Sequence, residues 1–515
     1  MTRTSFPRCH PALMRLLVLG LAVACRQPPE VIVPVAGLVT LGSLYQAPPG
    51  PETALAVSSS LLTVGGGHAL AYGHVWSATH DAPTLHDAKT EFRDPVPSLP
   101  HPFRSVLPNP APGQSYFVRA YAANEAGVVY SPSVRVSPGK SLPAALGTVL
   151  HDSLRTRDVG YAFVIYEGDQ LKAFASGGPQ SRTTDPEGAS PYTIHTKMHV
   201  ASMSKTITAL AFLHLAARQG LKTTDRIAPY LPAAWLKGEH VEAITFRDLL
   251  THHSGLAGLG GTCRNGTYSE NTYAGLKSLV ARGVKPENRR NYCYQNANLG
   301  LFRVLIPALS GYTFTGDDAV DDPNTQAWYA EAVRQNVLER AGIAGAVTGP
   351  PAATPAYAYT FPHGGGAGWN PGGFAGAAGG YGWYLTAAEA GKLFATTLSG
   401  PGESILPAAW KDTLLTRELG CFTGLTGGGT VYLHDGRWYR NADDYRGLRT
   451  IWMKYPGDLT IVLFVNALDR DRGIFPSGDG TDIAAYVNRA YVRARQAAGG
   501  RLTSATLHLK HPEPH

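Results

Sequence analysis

The chain has no apolar run long enough to cross a bilayer. The one near its start, residues 16–24 (LLVLGLAVA), falls well short of the ~20 residues a spanning helix needs. Charge is sparse, at 16% of residues, and no run of Lys and Arg or basic helix face stands out, which argues against a nucleic-acid partner. No internal repeat occurs, so a solenoid is excluded. The Gly/Ala-rich stretch 364–382 has neither the strand-to-helix context nor the lysine of a phosphate-binding loop, and reads as a packed or mobile loop. His74, His80 and His86 are the nearest approach to a metal motif; in turn-rich sequence they read as solvated side chains. No cofactor is expected.

With 515 residues and 44% apolar content, the chain is a globular protein of two or three domains. Residues 1–24 read as an export signal: Arg3, Arg8 and Arg15 with no acidic residue, then the short apolar run. Ala22-Val23-Ala24-Cys25 resembles a bacterial lipoprotein processing site, which implies lipidation of Cys25 and a periplasmic or cell-surface location, with membrane contact through that anchor alone. Residues 25–35 then form a tether. Of the five cysteines, Cys9 falls in the signal and Cys25 is the anchor. Cys263 and Cys293 flank one segment and are a candidate disulfide, which would stabilise by about 3–4 kcal/mol in the loop-entropy account. Cys421 is left as a buried thiol.

Residues 36–137 show short alternating stretches broken by Gly, Pro and Asn, the pattern of a small all-β sandwich. Tyr116-x-Val118-x-Ala120-x-Ala122-x-Asn124-x-x-Gly127 is similar to the penultimate strand of fibronectin type III domains, modules that usually space or bind. Ser137-Pro138-Gly139-Lys140 marks a boundary. Beyond it, Leu146, Val149, Leu150 and Leu154 predict a helix, and residues 161–166 and 171–175 predict a hairpin around Glu167-Gly168-Asp169. Residues 459–466 predict an apolar strand and 482–497 a terminal helix, so 141–497 is one domain and 498–515 a tail. Helices should flank an antiparallel sheet.

The focus of that domain is residues 200–220, VASMSKTITALAFLHLAARQG. Ile207, Leu210, Phe212, Leu213 and Leu215 recur at helical spacing, with Gly220 as the stop. Ser202 and Lys205, three apart, share a helix face. A buried lysine with a lowered pKa can deprotonate the serine, and the positive end of the helix favours negative charge developing there. Ser204, next to Lys205, points about 100° away around the helix. Ser202 is therefore the candidate nucleophile.

Residues 244–256 (ITFRDLLTHHSGL) predict a short helix ending at a Gly turn; their two histidines by themselves assign no role. Tyr294-Gln295-Asn296 precedes another helical pattern. A phenol meeting a Ser/Lys pair can relay a proton, and an asparagine two residues on can donate its amide to an acyl group. Thr386-Ala387-Ala388-Glu389 is a capping box with a structural role. Residues 430–433 lead into His434-Asp435-Gly436, and a glycine at a strand's middle or end lets a ligand approach the backbone closely.

In this order the motifs VASMSK, ITFRDLLTHHSGL, YQN and HDG resemble the serine beta-lactamase-like hydrolases: class C beta-lactamases, D-Ala-D-Ala peptidases, D-aminopeptidases and related esterases. The resemblance implies an α/β (α+β) domain with an antiparallel sheet flanked by helices. It implies Ser202 as acylated nucleophile, Lys205 as base and Tyr294 as proton relay. Asn296 would bind the acyl amide, His434 and Gly436 would form a wall, and the Arg437 N–H would join that of Ser202 as an oxyanion hole. Beta-lactamases and peptidases of this kind usually carry Lys-Thr-Gly where this chain has His434-Asp435-Gly436. A neutral histidine and an acid hold a substrate carboxylate less well, so an esterase, peptidase or amidase is expected rather than an efficient beta-lactamase. Small molecules or cell-wall-derived peptides are the implied substrates. The competing reading is a silent cell-surface binding protein that keeps the fold as scaffold; a complete Ser/Lys/Tyr set argues against it.

Overall fold

Helix α2 (Ser204–Gln219) runs through the middle of the larger domain, and every residue from Ser204 to Ala216 is buried. Burial all round, rather than on one stripe, is the mark of a central helix. Its polar residues are accommodated by hydrogen bonds: Thr206 Oγ1 donates to Gly420 O (2.7 Å) and Thr208 Oγ1 to Gly379 O (2.7 Å). Gly220 closes the helix in the left-handed region, at φ 71°.

The computed structural model describes residues 39–41, 45–47, 55–64, 70–96, 99, 101–108, 110, 114–125, 127–136, 141–257, 263, 268–349, 355–399, 405–498 and 506–510. The stretches expected to be an export signal and a tether, Cys25 included, and most of residues 498–515 lie outside the described residues. Among those described, no helix is long and apolar enough to cross a membrane.

The N-terminal residues form two antiparallel sheets. Leu55–Val64 pairs with Val39–Leu41, Tyr45–Ala47 and His101–Leu107 in one; Ala71–Ser77 and Tyr116–Asn124 pair at the centre of the other. Leu55, Val57, Trp76, Phe103, Val118 and Ala120 meet in a shared core. The expectation of solvated histidines is corrected at His74, which is buried with Nδ1 2.7 Å from Ser105 Oγ. His80 instead meets Asp87 (2.8 Å) at the surface. Among the described residues no His/Cys/Asp/Glu group is arranged to hold a metal ion.

The larger domain opens with α1 (Leu142–Leu154), capped by Ser141. Strands β1 (Tyr161–Glu167) and β2 (Gln170–Gly177) form the hairpin. Helix α3 (Asn296–Gly300) and helix α4 (Ala387–Leu398), the latter opened by the Thr386/Glu389 capping box, follow. Then come β3 (Phe422–Thr426), β4 (Gly429–Asn441), β5 (Asp444–Tyr455), β6 (Leu459–Val465) and α5 (Ile483–Ala497). The antiparallel order is β2-β1-β6-β5-β4-β3, with His508–Leu509 at the outer edge.

Period-two alternation divides the side chains between two cores. Tyr161, Phe163, Ile165, Ile461 and Leu463 face the layer of α1 and α5, whereas Ala162, Val164, Val462 and Phe464 face the layer of α2 and α4. Burial on both faces explains why residues 459–465 read as a continuous apolar run rather than an alternating one.

Parity also sets the central strand. His434-Asp435-Gly436 lies inside β4, not at its end, and Gly436 pairs with Thr450. A Cβ on Gly436 would stand 2.5 Å from both Val200 O and Thr450 Oγ1. The close approach expected here is made by the backbone just ahead of Ser202. Gly436→Ala is expected to destabilise the domain by about 1–3 kcal/mol through overpacking, read as a lower urea midpoint.

Candidate active site

Ser202 sits on a single 3-10 turn, Ala201–Met203, immediately before α2. Ala201 adopts φ 47°, a conformation that non-glycine residues rarely take and that concentrates at active sites. The turn is held from two sides: Val200 N–H donates to Trp383 O (2.9 Å), and Thr450 Oγ1 of β5 donates to Val200 O (2.9 Å). Ser202 itself is partly exposed.

Lys205 is fully buried, and its Nζ lies 2.8 Å from Ser202 Oγ, 2.8 Å from Asn296 Oδ1 and 2.9 Å from Gly380 O. Three acceptors match the three donors of an ammonium. The Tyr294 ring lies against the same amine, its centroid 4.9 Å from Nζ. Ser204 points elsewhere: its hydroxyl accepts from Trp383 N–H (3.3 Å). Ser202, Lys205, Tyr294 and Asn296, far apart in sequence, are thus gathered within hydrogen-bond or ring contact of one nitrogen.

Sequence reasoning missed the third acceptor. Gly380 belongs to the Gly/Ala-rich stretch, which is packed here: a Cβ on Gly379 would stand 2.5 Å from Leu299 O, and one on Gly380 2.7 Å from Asn296 O. Consecutive glycines were the available signal, since they allow backbone to approach backbone.

His434 faces this cluster from β4, with its ring 4.8 Å from Phe422 and 6.3 Å from Tyr294. Its Nδ1 lies 2.7 Å from Asp435 O, and burial, reinforced by Lys205, pushes its pKa down to about 3. Asp435 corrects an expectation. It lies on the opposite face of β4 and pairs with Arg449 (2.5 Å), which also holds Asp482 (2.5 Å) at the start of α5. Its charge is met on the far side of the sheet and is not presented to substrate. Arg437 pairs with Arg449 across the β4–β5 ladder, and its guanidinium lies over the Tyr439 ring at 5.1 Å.

Cys263 and Cys293 are bonded, with Cα atoms 5.5 Å apart, so a bridge ends one residue before Tyr294. Cys421 is buried and free, and burial raises its thiol pKa. A cleft of about 720 Å³ at the other end of α2, lined by Arg218, Gln219, Ser310 and Trp328, has no part in this chemistry.

The family model described as Beta-lactamase matches residues 151–475, which carry Ser202, Lys205, Tyr294, Asn296, Gly380 and His434. The chain belongs to the beta-lactamase family. It is a serine hydrolase of that family, with the family's antiparallel sheet and flanking helices. Among solved structures it is similar to FmtA from Staphylococcus aureus, at 17% identity and TM-score 0.50 over 70% of this chain and 90% of that one. It is also similar to a beta-lactamase/D-alanine carboxypeptidase from Pseudomonas syringae, at 16% identity and TM-score 0.50 over 69% and 98%. At such identities the likeness shows the fold alone. No curated protein matches.

Within this beta-lactamase-family site the imidazoles are held neutral. His199, three residues before Ser202, stacks on Phe374 at 4.4 Å and is pushed down to about 3 by burial. Both its ring nitrogens lack hydrogen-bond partners among the described residues. A histidine whose pKa is depressed by folding lets the unfolded chain take up the proton first, so stability is lost as pH falls from about 6.5 toward 3. The urea midpoint is therefore expected to drop between about pH 7 and pH 4. His199→Phe, which removes one such group, should drop less over the same range.

Proposed function

We propose that this chain is an exported serine hydrolase that cleaves an ester or amide through an acyl-enzyme on Ser202, with Lys205 as base and Tyr294 as proton relay. The observation that carries the reading is the buried Lys205 amine 2.8 Å from Ser202 Oγ, with Asn296 and the Tyr294 ring on the same nitrogen. Unprotonated Lys205 takes the Ser202 proton as Oγ attacks the substrate carbonyl. The oxyanion is held by the N–H groups of Ser202 and Arg437, a pairing supported by the contact of neighbouring Gly436 with Val200 and Ala201. Collapse of the tetrahedral adduct breaks the bond to the leaving group, which receives its proton through Tyr294. Water then attacks the acyl carbonyl by the reverse relay and frees Ser202. The Asn296 amide N–H binds the acyl group while its Oδ1 holds Lys205.

The wall formed by His434 and Gly436 favours substrates without a carboxylate at that position. A neutral imidazole stands where related enzymes carry lysine, and Asp435 is turned to the other face. Neutral or amine-bearing esters and amides therefore fit better than beta-lactams. Export rests on Arg3, Arg8, Arg15 and the short apolar run, and lipid anchoring on Cys25. A fibronectin type III-like spacer at the N-terminus is supported by the Tyr116–Asn124 strand pattern and the paired sheets.

Intact-mass spectrometry after incubation with a penicillin, a p-nitrophenyl ester and a D-alanyl peptide tests the reading. Wild type should show an adduct or turnover, best with the ester or peptide, and Ser202→Ala none. Lys205→Ala should lose about 1000-fold or more, because residues acting as a unit are non-additive. Rapid turnover of a chromogenic cephalosporin would overturn the preference against beta-lactams. A wild type inert to all three would favour the binding scaffold.

A further inference from the structure

The segment 293–298 carries both Tyr294 and Asn296, yet helix α3 begins only at Asn296 and supplies no support upstream. What holds it comes from the turn after the short helix Phe246–Leu250, which a Thr245/Asp248 capping box opens. His252 in that turn adopts φ 60°, and Gly255 follows at φ 79°.

Three bonds run from 293–298 to this one histidine. Cys293 N–H donates to His252 O (2.7 Å), Gln295 N–H donates to His252 Nδ1 (3.3 Å), and Asn298 Nδ2 lies 3.1 Å from the same nitrogen. Asn298 is itself oriented, since Ser254 Oγ donates to its Oδ1 (2.5 Å) and its Nδ2 also donates to Cys293 O (3.2 Å). Both groups facing Nδ1 are therefore N–H donors, and Nδ1 is the unprotonated acceptor. The imidazole face lies against the Tyr294 ring, centroids 4.4 Å apart at 36°. The strained backbone, the buried ring and the two accepted bonds all converge on the placement of one phenol.

We propose that His252 is the positioning residue of this site: its Nδ1 acceptor and its ring face fix Tyr294 against Lys205, so that the phenol is aligned for proton delivery to the leaving group. This rests on the acyl-enzyme reading above. A protonated imidazole would lose the acceptor that grips Gln295 and Asn298 and would place a positive charge close to Lys205. Burial first, then Lys205, His434 and His253, hold its pKa well below that of an ordinary histidine.

The test compares phenyl acetate with p-nitrophenyl acetate, esters of one acyl group whose leaving groups differ in their need for a proton. His252→Ala is expected to slow the phenyl ester about 100-fold in kcat/KM, which reports acylation and so the leaving group, the scale of a misaligned catalytic group, and the p-nitrophenyl ester about tenfold or less by the same measure. His252→Asn keeps an acceptor near the Nδ1 position and tolerates positive φ; it should recover most of the loss and remain folded where the alanine variant is not. Equal slowing of both esters in folded His252→Ala, or no slowing, would overturn the proposal, as would His252→Asn losing the phenyl ester rate in full. Should wild type turn over neither ester and form no adduct, the acyl-enzyme reading fails. The Tyr294 ring resonance in ¹³C-tyrosine-labelled wild type and His252→Asn then decides the positioning claim alone. A large ring-current shift on loss of the imidazole supports it, and an unmoved resonance overturns it.

Discussion

The burial of one amine organises this domain. Lys205 Nζ lies inside the protein with no solvent contact, and a group that can carry charge there needs partners to repay its lost hydration. Those partners come from three separate parts of the chain: the turn ahead of α2, the first residue of α3 and a glycine carbonyl of the 364–382 stretch. Each approach imposes its own constraint. The turn is compressed enough to put Ala201 at positive φ, and the glycine stretch must lie so close to α3 that Cβ atoms at 379 and 380 would collide with its backbone. A serine hydroxyl, an amide and a phenol ring thus meet around one point because the buried lysine needs acceptors and packing around it.

Strand parity then decides what substrate meets. Adjacent residues of β4 face opposite layers, so the acid and the imidazole of His434-Asp435-Gly436 act in different places. Asp435 joins Arg449 and Asp482 in a pairing that ties β4, β5 and the start of α5. Leaving any member of such a buried set unpaired is costly, which makes it a structural joint rather than a recognition element. His434 alone represents the motif in the site.

Much of the domain was legible because its signals are local. The α2 periodicity, the Gly220 stop, the 167–169 hairpin turn and the Thr386 box each depend on residues within a few positions of one another, and each element lies where its signal fell. S-x-x-K needed only the helix repeat to be read as a pair. What escaped were the relations set by tertiary packing. Nothing near His74 says that Ser105 will bury it, and nothing in a Gly/Ala-rich stretch says that one carbonyl will face a lysine. The two histidines of ITFRDLLTHHSGL could not be told apart by composition. Tertiary structure separates them: His252 turns inward onto 293–298, while His253 bonds back to Thr251.

The same contrast accounts for the histidines around the lysine. His252 and His434 both lie close enough to Lys205 to feel its charge, His199 is buried among Phe374, Tyr384 and Trp438, and burial keeps each of them neutral. A cluster of imidazoles beside a serine would ordinarily suggest a serine–histidine pair. Here the serine's hydrogen-bond partner is the amine, and the nearest rings are fixed through Nδ1 to backbone or amide groups, His434 to Asp435 O and His252 to Gln295 and Asn298. Rings spent on such bonds are held in place by their neighbours. Their neutrality also leaves Lys205 without a neighbouring imidazolium, and absence of like charge makes a charge on the buried amine less costly.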